Sequence, residues 1–97
     1  MATKLSPAKS LELAQFHLSN AREVKDPEIR MALCDHADAI LEPMKRVVKR
    51  TPSKPNDGEQ ALREGIAAAY LDHANLVANL GHPDKAQTSR KRADKWG

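Results

Sequence analysis

Apolar residues recur at three- and four-residue steps through most of the chain, the spacing of helices that each bury one stripe. Leu11, Ala14, Leu18 and Ala21 set the first stripe, and Leu13 and Phe16 widen it. Ser6-Pro7 stands ahead of it. Ser offers an acceptor to the orphan amides of a first turn, and Pro is tolerated at the first helical position. These signals predict a helix over about 7–22. Asp26-Pro27-Glu28 repeats them before Ile29, Leu33, Ala37, Ile40 and Leu41, and the stripe runs on in phase through Met44, Val47 and Val48. Pro43 interrupts it, removing one amide and pressing on the carbonyl of Ala39. Either the helix kinks there or it stops and restarts. The continued phase favours a kinked helix over about 27–50.

Residues 51–58, with two prolines, a glycine and small polar residues, form the one real loop. A third helix is expected over 59–80, burying Leu62, Ile66, Ala69, Tyr70, His73, Ala74, Val77 and Leu80. Gly81 should end it as a left-handed cap. The fourth, over 83–96, is weakly apolar, with Ala86, Ala93 and Trp96 its main contacts. Short connections make helices one and two, and three and four, antiparallel hairpins. On these lengths the outer helices cover only one end of the long central pair. Met44, Val47 and Val48 would then face Leu62 and Ile66 in a bare two-helix arm.

The chain has 97 residues, enough for one domain and too few for two. Aromatics are only 3% of it: Phe16, Tyr70 and Trp96. The core must rest on aliphatic residues and many Ala, which suits close-packed helices and not strands. The fold class is therefore all-α, with four helices. No window approaches the ~18 apolar residues of a membrane span. A single cysteine, Cys34, excludes an intramolecular disulfide, so a reducing intracellular compartment, the cytoplasm, is expected.

The net charge of +3 hides an asymmetry. Residues 1–42 carry five basic and seven acidic side chains, a net of −2, whereas 44–54 hold Lys45, Arg46, Lys49, Arg50 and Lys54 with no acid. The last helix adds Lys85, Arg90, Lys91, Arg92 and Lys95 against Asp84 and Asp94. Such runs can attract an acidic partner or phosphates, although cations also accumulate at helix ends to offset the dipole.

Tyr70, Ala74, Gly81, Asp84, Ala86 and Ala93 form a pattern: an aromatic, a small residue one turn on, a turn glycine, and two alanines seven apart. This segment resembles a tetratricopeptide repeat. Arg90 and His73 depart from it, standing where the family places large apolar residues, and the first two helices follow it only loosely. The whole chain is also similar to N-terminal helical segments of large multidomain fungal proteins, a likeness that assigns no activity. The repeat resemblance implies a pair of antiparallel hairpins with long central helices. It also implies a concave face that binds a peptide or partner helix, shown on the third helix by Leu71, Asn75, Ala78 and Asn79. Asn75 and Asn79 lie one turn apart and could bond an extended backbone. Repeats this small stack for stability, so self-association is a further expectation.

Candidate chemistry is thin. Cys34, Asp35, His36 and Asp38 cluster on the second helix, with Asp72 and His73 on the third. Cys34 and His36 lack the three- or four-residue spacing that puts two ligands on one helix face. No glycine-rich turn flanks Cys34 to hold an oxyanion, so neither metal, cofactor nor covalent catalysis is expected. A protein–protein interaction module is the preferred reading. The alternative is nucleic-acid binding through the last helix and the 45–54 segment, which lack interleaved aromatics for stacking.

Overall fold

The computed structural model describes residues 6–46 and 57–96. Among them lie four α-helices and no strand: α1 (Pro7–Glu23), α2 (Pro27–Leu41), α3 (Asp57–Asn79) and α4 (Pro83–Trp96). A 3-10 segment, Glu42–Arg46, follows α2. The fold is all-α, as the periodicity requires.

Local chemistry sets the helix ends. The Ser6 hydroxyl accepts from the Lys9 amide at 3.3 Å, and the Asp26 carboxylate accepts from the Glu28 amide at 2.9 Å. Proline occupies the first turn of both helices. Arg30 reaches back across the α1–α2 turn, donating to the carbonyls of Val24 and Arg22, the latter at 3.1 Å. It thereby satisfies carbonyls that α1 leaves open at its end. Gly81 adopts φ +89°, with the amide of His82 bonded to the Val77 carbonyl at 2.9 Å and that of Gly81 to Ala78 at 3.1 Å. Those two bonds are the Schellman pattern, which needs a left-handed residue after the helix.

The antiparallel hairpins α1–α2 and α3–α4 form as expected. His17 of α1 stacks edge-on against His36 of α2, and His73 of α3 meets Ser89 of α4. Between hairpins, Leu11 lies against Gly65, and Arg22 forms an ion pair with Asp72, so α1 and α3 run parallel. α2 packs on α3, and its Asp38 reaches Arg92 of α4. No packed interface joins α1 to α4, so the helices do not close into a ring. Both helices of the first hairpin pack on α3, in a body 18 Å across its thinnest direction. The core centres on Leu18, Cys34, Leu41, Ile66 and Val77.

Two expectations need correction. The second helix does not continue in α geometry to residue 50. It ends at Leu41, two residues before Pro43, and tightens into the 3-10 segment. Val47, Val48, Lys49 and Arg50 lie outside the described residues. The bare arm is also absent from the described part. Met44 is 2% exposed and Ile66 is fully buried. With α2 shortened, α1 spans its whole length and crosses the middle of α3, from Gly65 to Asp72. A Cβ on Gly65 would stand 2.6 Å from Leu11 Cδ2, so the Leu11 side chain rests where a larger residue would make it shift.

Candidate functional site

The strip Leu71, Asn75 and Asn79 runs along the outward side of α3. Leu71 is 47% exposed and both asparagines are exposed. Ala78, expected on the same strip, is half-buried and packs against the core. The buried side of α3 is held by Ile66, Ala69, His73, Ala74 and Val77, which fixes the strip to the opposite side of the helix. On the neighbouring α1, Glu12, Phe16 and Ser19 are likewise exposed. An extended chain laid over α3 would meet an apolar side chain first and then two amides one turn apart, each offering both a donor and an acceptor.

The basic candidates divide. Arg90 and Lys91 are exposed on α4, as are Lys85 and Lys95. Arg92 instead donates to Asp38 at 2.8 Å. Lys45 and Arg46 fall on the 3-10 segment with their side chains outside the described residues, and Lys49 and Arg50 lie wholly outside them. Trp96, the aromatic that follows Lys95, is buried and cannot stack on a base.

A cleft of about 290 Å³ opens where α2, α3 and α4 meet. Its walls include Asp35 and Asp38 of α2, His73 of α3, and Asp84, Lys85 and Arg92 of α4. Behind it, His73 Nδ1 and Ser89 Oγ lie 2.6 Å apart in a buried hydrogen bond that ties α3 to α4. His73 Nε2 has no hydrogen-bond partner among the described residues. Burial pushes the His73 pKa below the ordinary imidazole value, outweighing Asp38 and Asp35, which pull it up; Arg92 and Lys85 push it further down. Both members of the pair are almost fully buried, and both line the cleft. Sequence reasoning did not anticipate this cleft. One half of its signal was present: Ala86, Ser89, Ala93 and Trp96 share the buried stripe of α4, which places Ser89 inside. The Asp38–Arg92 pair joins residues far apart in the chain and has no local signal.

Cys34 is fully buried, and its thiol is pushed up to about 11, by burial first and by Asp35 second, with Arg30 opposing. The thiolate, the nucleophilic form, is therefore scarce at neutral pH. His36 faces His17, with ring centroids 5.6 Å apart, and Asp72 is engaged by Arg22. Among the described residues, no three His, Cys, Asp or Glu side chains are grouped to hold a metal ion.

Comparison with protein-family models, with curated proteins and with solved structures gives no match to this chain. No described helix is long and apolar enough to cross a membrane.

Proposed function

We propose that this protein is a non-enzymatic interaction module that binds an extended peptide or partner helix on the face formed by α1 and α3. The observation that carries the reading is the exposed α3 strip, with Leu71 as an apolar anchor and Asn75 and Asn79 one turn apart as backbone readers. Tandem hairpins with their first helices side by side present a continuous surface of this kind, as tetratricopeptide-like repeats do. The exposed cations of α4 lie on a helix that does not pack on α1, and suit an acidic partner or nucleic acid. The burial of Trp96 leaves them without a stacking platform, which favours the peptide.

Selection of peptides from a random library on the immobilised protein, followed by anisotropy titration of a selected peptide, tests this. Loss of two backbone hydrogen bonds, about 1–3 kcal/mol together, should weaken binding about 5- to 100-fold in the Asn75→Ala/Asn79→Ala protein. Peptides that bind equally well to that variant, or retention of duplex DNA that falls steeply with salt and is lost in Arg90→Glu/Lys91→Glu, would count against it.

A further inference from the structure

Among the described residues, three of the four large hydrophobic side chains that stand exposed belong to the first hairpin: Leu13 at 38%, Phe16 at 60% and Ile29 at 50%. They share one side of it. Successive helix residues turn by about 100°. Leu11 and Arg22 mark the side of α1 that meets α3, and Leu13, Phe16 and Asn20 lie a third to half a turn round from them. On α2, Cys34 and Leu41 point into the core, and Ile29, Ala32, His36 and Ala39 lie on the far side. The result is a face of the α1–α2 hairpin directed away from α3. Its middle on α1 carries no charge, since residues 13–21 hold no Asp, Glu, Lys or Arg, while Lys9 and Glu28 stand exposed towards its ends.

The other end of the molecule is different. There α4 presents Gln87, Arg90 and Asp94, all exposed, along its edge remote from Asp38. The α4 edge of that end is thus charged, while the first hairpin's free side carries Leu13, Phe16 and Ile29. Joining copies head to tail would bury Arg90 and Asp94 against hydrocarbon. Joining the two free sides buries both and leaves the charged α4 edges outward, which closes the assembly at two. A charged peptide or nucleic acid would find no ionic partner on the stretch of α1 between Leu13 and Ala21. Its size also suits a second copy. Helices of 17 and 15 residues side by side give a face about 25 Å long and about 20 Å wide. Two such faces bury about 1,000 Å² in projection, the scale at which a specific interface begins.

We infer that the free side of the α1–α2 hairpin, centred on Leu13, Phe16 and Ile29, is a two-fold self-association surface that takes a second copy of this chain. Sedimentation equilibrium over a wide concentration range tests it, with circular dichroism as the check on folding. The wild-type mass should rise with concentration and level off at twice the 10.7 kDa chain. Phe16→Glu and Ile29→Glu, both at exposed positions, should keep full helicity and raise the dissociation constant at least about tenfold. Leu71→Glu, on the α3 strip, should leave the dimer unchanged. A wild-type protein that stays monomeric at the highest concentration overturns the inference. So does a mass that grows past the dimer, or a dimer weakened by Leu71→Glu and not by Phe16→Glu.

Discussion

Gly81 offers a sharp test, because its only demand is conformational. It sits at φ +89°, and a Cβ built there would have no heavy atom within 4 Å. Gly81→Ala therefore introduces no clash with the rest of the fold. What it introduces is an L side chain in the left-handed region, at about 1–2 kcal/mol. Part is offset because alanine also restricts the unfolded chain, by about 0.4–1 kcal/mol. The net expectation is a loss of about 1 kcal/mol, or about 4–8 °C in melting temperature for a domain of this size. Gly81→Val should lose more, since a β-branched residue resists positive φ. A chemically assembled chain with D-alanine at this position reverses the sign. It accepts positive φ without strain and keeps the entropic benefit, so it should be the more stable by about 0.4–1 kcal/mol. Urea denaturation followed by far-ultraviolet circular dichroism reads all the variants. An L-alanine protein as stable as wild type, or a D-alanine protein less stable than the L form, would refute the helix-cap assignment.

Three further outcomes are expected. The unfolded chain protonates His73 near pH ~6.5, whereas the buried imidazole resists protonation until lower pH. Stability should thus be complete above that value and decline as pH falls from it towards the folded-state value. An NMR titration placing His73 at or above the ordinary imidazole pKa would contradict this. Cys34 should react with a thiol reagent many times more slowly in the native protein than in urea, since it is both buried and about 11 in pKa; equal rates would mean the site is open. Gly65→Ala should stabilise a Leu11→Ala background by up to about 1 kcal/mol through helix propensity, and the wild type by less, because there its Cβ makes the Leu11 side chain shift. Additive effects in that double-mutant cycle would show that α1 and α3 do not approach there.

Much of the architecture can be read from local signals. Ser6-Pro7 and Asp26-Pro27 mark helix starts because the orphan amides of a first turn need acceptors within two or three residues, and those acceptors are neighbours in the chain. Gly81 is legible for the same reason: positive φ is a property of one residue. The three-four periodicity also assigned the interior, from Leu11 to Ala21 and from Ile66 to Val77, because a helix that buries one face repeats that requirement every turn. The candidate strip Leu71, Asn75 and Asn79 is the complement of that rule, read on the outward side of α3.

What stayed hidden depends on residues that meet only after folding. The apolar stripe continues in phase past Pro43, and periodicity alone cannot weigh that phase against one lost amide; the chain resolves it by leaving α geometry at Leu41. The packing of α1 on α3 places Leu11 on Gly65 next to the buried Ile66, so the described part of the expected arm is not bare; Val47 and Val48 lie outside the described residues. The cleft behind Asp38 and Arg92, with His73 and Ser89 within, joins residues from three helices and exists only through their packing. Sequence determines which face of each helix is apolar, since that is a matter of composition along one helix. Only tertiary structure decides which of those faces find a partner, because coverage depends on how two hairpins stack. Leu13, Phe16 and Ile29 follow the same periodic logic as the core and yet stand in solvent, on the one side of the first hairpin that α3 does not reach.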